Sequence, residues 1–404
     1  MSNESICPLP WAGLHYGCDG FIYPCCYINQ KNLHEYRLGT VEAGVESAYN
    51  SQKLRDMRVR MLSGIKLDAC SGCYRREVLG YESFRQWKNK QYATFDYSKT
   101  DEKGYYPFKG FKYFELKISN LCNLKCRICN SGSSTGWYKD EGIIGTEQNC
   151  FKDSNSLIAE FKKHENSIDL MYFFGGEPFL IKQHYDLLDY LYNNKKFNIE
   201  IHYSTNLTVM NNKILDCLEK LKHFKKVVII GSLDGEGKKF EFLRKNSSWN
   251  LVENNIKTFS NFTEDFYLMP SLCNLNIFSI FDILQKLIEN KLVKPQNIIL
   301  NMVFEPSYLA YTNLGPKLRK KVIKKIENFT NFLKSFINNA TLNSLNTENI
   351  LVKLKNIETS LNKNVSINLK DFFLKTVQLD KLRGENFIQI FPEFYEDLKD
   401  ERIL

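Results

Sequence analysis

No run of about 18 uninterrupted apolar residues occurs in this 404-residue chain, so no membrane-spanning helix is expected. The start, Met1 to Pro8, has no basic stretch followed by an apolar run. A signal peptide is therefore not expected, and the chain is assigned to the cytoplasm. Arginine is scarce, 12 residues against 43 lysines. Arginine is the side chain suited to bidentate phosphate recognition, and the formal charge of +9 is spread along the chain, so nucleic acid is not expected as a partner. The densest basic run, Lys317 to Lys325, alternates with apolar positions at helical spacing and reads as a solvated helix face. Internal repeats and low-complexity tracts are absent. Cysteine, with 12 residues, is far below the roughly 8–10% of a disulfide-stapled scaffold. A hydrophobic share of 43% excludes a disordered chain. Thiols kept reduced in a cytoplasm point to metal binding or catalysis rather than cross-links.

The cysteines are clustered. Six stand at positions 7, 18, 25, 26, 70 and 73, and three more are Cys122, Cys126 and Cys129. Cys150, Cys217 and Cys273 are scattered. Composition divides the chain in the same way. Residues 1–92 form a Cys-rich module. Within it, Asp19-Gly20 before Phe21-Ile-Tyr23 reads as a hairpin turn, and Glu42 to Leu62 reads as one helix. A polar, Gly- and Pro-containing linker follows at 93–110. From 111 to 305, β-rich runs alternate with helical patterns. The expected strands are Tyr113–Ser119, Leu170–Phe174, Ile199–Ser204, Lys226–Ser232, Phe266–Ser271 and Ile298–Val303. Six strands with helical crossovers predict a parallel sheet, a partial (β/α)6 barrel short of the usual eight, with its functional face at the C-terminal strand ends. Residues 306–404 are expected to be a helical extension.

The strongest motif is Cys122-Asn-Leu-Lys-Cys126-Arg-Ile-Cys129, directly after the first of these strands. Three thiolates on one short loop can hold three irons of a [4Fe–4S] cluster and leave the fourth open to another ligand. A structural zinc site closes a four-ligand set, and no fourth ligand is near in sequence. The second strand closes in Phe173-Phe-Gly175-Gly176-Glu177-Pro. Two glycines let a ligand approach the backbone, and a carboxylate beside them suits an ammonium group. The third strand ends in Ser204-Thr-Asn206, side chains that could hydrogen-bond a ribose or a carboxylate, or simply cap a strand. The fourth ends in Ser232-Leu-Asp234-Gly235, with Asp234 readable as a ribose ligand, a base or a turn residue.

This spacing, on this loop of this strand order, resembles the radical S-adenosylmethionine (radical SAM) superfamily over about residues 111–305. The resemblance implies that Cys122, Cys126 and Cys129 hold a [4Fe–4S] cluster whose free iron binds S-adenosylmethionine. Reductive cleavage then gives a 5′-deoxyadenosyl radical that abstracts hydrogen from a substrate. It implies further that Gly175, Gly176 and Glu177 bind the amino group of S-adenosylmethionine, that Ser204, Asn206 and Ser232 line the cofactor, and that Arg244 contacts its carboxylate. Many members have an aromatic residue before the third cysteine, where this chain has Ile128.

Cys7, Cys25 and the pair Cys70-Ser-Gly-Cys73 make four thiolates, a closed set for one cluster, although zinc would accept the same donors. Cys26 abuts Cys25, and Cys18 is also within reach. Pro8-Leu-Pro-Trp11 and Asp19-Gly-Phe-Ile-Tyr-Pro-Cys25 resemble the Twitch/SPASM type of auxiliary module, placed here before the barrel. The whole chain, including Leu379-Asp-Lys-Leu-Arg-Gly384, resembles the Twitch-domain radical SAM proteins. The resemblance assigns a second, auxiliary [4Fe–4S] cluster to Cys7, Cys25, Cys70 and Cys73. It implies a flavodoxin- or ferredoxin-type electron donor and a peptide or protein substrate. Epimerisation or dehydrogenation of a sugar, nucleoside or other small molecule is the alternative reaction, and an iron–sulfur electron carrier the non-enzymatic one. Asp234 and Cys273, which follows the fifth strand, are the candidate base and hydrogen donor.

Overall fold

The computed structural model describes residues 4–338, 344–363 and 368–400. Among the described residues the strands, in chain order, are β1 (Gly13–Tyr16), β2 (Phe21–Tyr23), β3 (Gly39–Thr40), β4 (Tyr113–Leu116), β5 (Lys125–Cys126) and β6 (Leu170–Phe173), then β7 (Glu200–Thr205), β8 (Lys226–Ser232), β9 (Arg244–Lys245), β10 (Phe266–Met269), β11 (Ser271–Leu272) and β12 (Asn301–Met302). Compactness divides the chain into two units. One comprises residues 1–121, 146–204 and 211–228, and the other 122–145, 205–210 and 229–404. These units cut across the composition-based partition.

In the first unit the strands run in the order β7-β6-β4-β1-β2-β3. β7, β6, β4 and β1 are parallel, and β2 and β3 return antiparallel. The expected hairpin at Asp19-Gly20 is therefore present. A strand of the Cys-rich stretch, β1, lies directly beside β4, with His15 opposite Glu115 and Tyr16 opposite Leu116. Periodicity identifies a strand but not its neighbour, so this pairing leaves no trace in the sequence. Residues of alternate parity face opposite sides of the sheet. Phe173 and Tyr203 stack at 5.2 Å on one face, where His184 meets the Tyr203 hydroxyl at 2.7 Å. His184 belongs to helix Lys182–Asn193, which buries Tyr185, Leu187, Leu188 and Leu191 at helical spacing. The other face carries Glu115, Tyr172, His202 and Ser204.

The helix expected over Glu42 to Leu62 is two helices, Val45–Tyr49 and Gln52–Leu62. Ser51 separates them because its side chain accepts from the Leu54 N–H and caps the second. The stretch expected as a linker is packed: Trp11 donates to Thr100 at 2.9 Å, and buried Arg58 donates to the Gly104 carbonyl at 3.2 Å.

In the second unit β8 and β10 are parallel, with Ile229 opposite Phe266 and Ser232 opposite Met269. The last expected strand shrinks to β12, which pairs with β11, plus a bridge from Leu268 to Ile298. Helices Pro316–Asn338, Ser344–Leu361 and Leu369–Arg383 and two shorter ones form the C-terminal extension. In the first of them Leu318, Val322, Ile326, Phe329 and Leu333 are buried, while Lys317, Lys320, Lys321 and Lys324 are exposed, as the charge run predicts. The fold is thus α/β with a parallel sheet, a Cys-rich N-terminal module and a helical C-terminus. Among the described residues no helix is long and apolar enough to cross a membrane.

Candidate functional site

The cysteine loop leaves the end of β4 and belongs to the second unit. Its middle is held by a two-residue ladder, Lys125 opposite Lys245 and Cys126 opposite Arg244. Cys122, Cys126 and Cys129 are all half-buried. Nitrogen donors surround the sulfurs. Asn206 Nδ2 donates to Cys122 Sγ at 3.7 Å, the Leu124 N–H to the same sulfur at 3.5 Å, and Arg244 Nη1 to Cys126 Sγ at 3.9 Å. The loop backbone is fixed by Trp137 Nε1 on the Cys126 carbonyl at 3.0 Å and by the Thr135 hydroxyl on that of Cys122 at 3.2 Å. Burial pushes the Cys126 thiol up to about 12, while the Arg244 charge pulls it down. Such a thiol ionises on taking up a metal, which releases its proton. Three half-buried thiols on one loop, two of them with N–H donors already aimed at them, suit an open-iron cluster.

Arg244 directly follows helix Gly237–Leu243. It sits on β9, 6% exposed, with Nε donating to Asp234 Oδ2 at 2.8 Å. Burial opposes its charge, but Asp234 and Cys126 outweigh that and raise its pKa. Asp234 Oδ1 accepts from the Ser271 N–H at 2.8 Å, so each carboxylate oxygen is engaged. Cys273 is buried, and desolvation pushes its thiol to about 12. Asn206 Nδ2 also donates to Asn123 Oδ1 at 2.9 Å, and Asn123 Nδ2 to Thr208 at 2.8 Å. Asn123 and Thr208 are neighbours that the spacing gave no reason to select.

In the first unit, the turn after β6 carries Gly175, Gly176 and Glu177. Gly176 has φ +50°, and a Cβ there would stand 2.3 Å from the Leu121 carbonyl oxygen, one residue before Cys122. The Glu177 N–H donates to that same oxygen at 2.8 Å. Glycine at 176 is therefore required both by its left-handed backbone and by the close approach. The Glu177 side chain is fully buried and accepts from the Phe179 N–H at 3.2 Å. The Ser204 hydroxyl bonds Tyr172 at 2.6 Å, and Ser232 closes β8 in the second unit.

The N-terminal cysteines also fall together. Burial is the main influence on Cys7, Cys25, Cys70 and Cys73, raising all four thiols, that of Cys7 to about 12. For two of them the next influence is the other thiols: Cys25 responds to Cys70, Cys7 and Cys73, and Cys70 to Cys7 and Cys73. Cys26 faces elsewhere. After burial its largest influence is Glu115, whose Oε2 also accepts the Cys26 N–H at 3.0 Å. Cys18 donates to Gln148 at 3.8 Å and Cys217 is buried on helix Asn212–Leu221. Among the described residues no three His, Cys, Asp or Glu side chains converge on a single-ion site. A cluster takes one thiolate per iron, so its ligands need not meet at one point.

Comparison with known proteins agrees with this chemistry. The family model of the radical SAM superfamily matches residues 116–287, and that of the SPASM iron–sulfur cluster-binding domain matches residues 7–74. The radical SAM cyclopropyl synthase TigE of Paramaledivibacter caminithermalis is 25% identical over 223 residues, 52% of this chain and 45% of TigE. An uncharacterized protein of Methanocaldococcus jannaschii is 30% identical over 114 residues, 28% of this chain and 36% of that protein. The chain thus spans less than half the length of each of these curated relatives. Solved structures similar to this chain include Streptococcus suis SuiB bound to its precursor peptide SuiA, at 14% identity and a TM-score of 0.42, covering 80% of this chain and 68% of that one. They also include anSMEcpe with bound AdoMet, at 18% identity and a TM-score of 0.41, covering 68% of this chain and 67% of that one. The matches thus place a SPASM-type iron–sulfur cluster-binding domain at residues 7–74 ahead of a radical SAM domain at residues 116–287.

Proposed function

We propose that this enzyme abstracts hydrogen from a peptide or protein substrate, with Cys122, Cys126 and Cys129 holding the S-adenosylmethionine-binding cluster and Cys7, Cys25, Cys70 and Cys73 an auxiliary one. The observation that carries this reading is the cysteine loop itself, with Asn206 and Arg244 donating to two of its sulfurs. When bound, the cluster and S-adenosylmethionine supply the reductive cleavage that generates a 5′-deoxyadenosyl radical. The chain's residues orient that chemistry. By the resemblance, Gly175 and Gly176 would offer carbonyls to the cofactor's ammonium and Glu177 a carboxylate. Arg244, held by Asp234, offers a fixed cation for a carboxylate. Ser204, Asn206 and Ser232 supply hydroxyl and amide groups at strand ends. Asp234 serves here by positioning Arg244, because both of its oxygens are engaged. Cys273 is the proposed hydrogen donor, kept as a neutral thiol by burial.

The peptide class rests on the SPASM-type module at residues 7–74 and on the sequence resemblance that implies a peptide or protein substrate for it. A low-potential flavodoxin- or ferredoxin-type protein of the cytoplasm is the proposed electron source. The test is anaerobic reconstitution followed by dithionite and S-adenosylmethionine. 5′-Deoxyadenosine should form, and a peptide encoded beside the gene should accelerate its formation while sugars and nucleosides do not. Acceleration by a sugar or nucleoside alone would overturn the substrate class.

A further inference from the structure

Between the second and third cysteines of the loop stands Arg127, its side chain 2% exposed. Its backbone N–H donates to the Leu243 carbonyl at 2.8 Å, and its guanidinium lies 3.6 Å from the centre of the Phe242 ring. Its Nη2 pairs with Asp380 and, at 2.7 Å, with Glu385. These carboxylates flank the end of helix Leu369–Arg383, where Gly384 adopts φ +64° as a left-handed cap. The Glu385 N–H returns to the Asp380 carbonyl at 2.9 Å, so the turn fixes both acids.

The same turn reaches the loop a second time. Arg383 donates Nε to Asp140 at 2.7 Å and lies 4.4 Å from the Trp137 ring centre, and Trp137 holds the Cys126 carbonyl. Asp140 also accepts Lys125 Nζ at 2.9 Å, and Glu385 pairs with Lys245, the ladder neighbour of Lys125, at 3.2 Å. Four cations and three carboxylates thus interlock around the loop. Buried ion pairs are costly to desolvate and are weak evidence of stability by themselves. The network leaves Arg127 Nε and both Arg383 Nη atoms buried without a hydrogen bond among the described residues, so what it secures is the placing of the loop, and that points to positioning.

We propose that the Asp380–Glu385 turn is a latch on the cluster loop. It holds Arg127 so that the three cysteines keep their ligating arrangement, and it sets the charge beside the cluster they would hold. Arg127, Asp380 and Glu385 are positioning residues. The inference rests on the proposed ligation by Cys122, Cys126 and Cys129. Reduction adds negative charge to a cluster, and nearby net charge helps set its potential. Removing a carboxylate therefore favours the reduced form, and removing a cation disfavours it.

The test uses the full chain, reconstituted anaerobically, with Glu385→Gln and Lys245→Gln. Lys245 is part-exposed, so its loss is tolerated by the fold more readily than that of Arg127. The midpoint potential of the loop cluster, followed by electron paramagnetic resonance, should rise in Glu385→Gln and fall in Lys245→Gln. Iron should leave to a chelator several-fold faster in Glu385→Gln, and Arg127→Lys should lose it more slowly than Arg127→Leu. Potentials unchanged, or shifted in the same direction by both charge removals, would overturn the latch. If instead Cys126→Ala retained the full iron content, the ligation reading would fail rather than the latch.

Discussion

The two cysteine sets differ in what surrounds the sulfur. On the loop after β4, the thiols are half-buried and meet side-chain donors from Asn206 and Arg244. In the N-terminal module, Cys7 and Cys73 are buried outright, all four thiols are raised chiefly by desolvation, and Cys25 and Cys70 next feel their fellow cysteines. On the proposed ligation the loop would offer three thiolates and a place for a ligand, whereas the module would offer four and close. One chemical group would then serve two ends, separated by ligand count.

The comparison is broken most severely by Cys126→Ala. Iron should fall from about eight to about four atoms per chain, since each cubane carries four, and 5′-deoxyadenosine formation should cease. Iron analysis and chromatography of the product check this. Next is the contrast of Cys25→Ser with Cys26→Ser. The first should lose the auxiliary cluster and leave the loop cluster's spectrum intact, and the second should keep both. Equal loss from both variants would make Cys26 a ligand. Asp234→Asn should weaken S-adenosylmethionine binding about ten- to a hundredfold, the cost of about 1.5–3 kcal/mol for a charge-assisted bond that no longer fixes Arg244. Isothermal titration would measure it, with the iron content unchanged. Gly176→Ala is the mildest, destabilising the turn by about 1–3 kcal/mol through its φ of +50° and the Leu121 carbonyl. Thermal unfolding should register that loss, together with weaker cofactor binding.

What the sequence made legible was local. Cys122, Cys126 and Cys129 lie within eight positions, and Gly175-Gly-Glu177 within three, so spacing alone could present them. β8 is found where the alternation predicts it, and the other strands shift at their ends or shorten. Contacts between distant segments left no such trace. β1 beside β4 joins residues about a hundred positions apart, and Arg127 with Asp380 joins residues 253 apart. The fragment Leu379 to Gly384 stood out by resemblance, but only the structure supplies its partner. Burial was equally hidden. Only a resemblance in the run Asp19 to Cys25 favours Cys25 over Cys26, whereas in the fold the Cys25 thiol feels Cys70, Cys7 and Cys73 most after burial, and the Cys26 thiol feels Glu115.

The central claim, an open cluster on the loop and a closed one in the module, is tested most directly by adding S-adenosylmethionine to the reduced protein and recording its electron paramagnetic resonance. The account predicts that one of two cluster signals changes, and that the changing signal is absent from Cys126→Ala and present in Cys25→Ser. A response from both signals, or a responding signal that survives in Cys126→Ala, would contradict it.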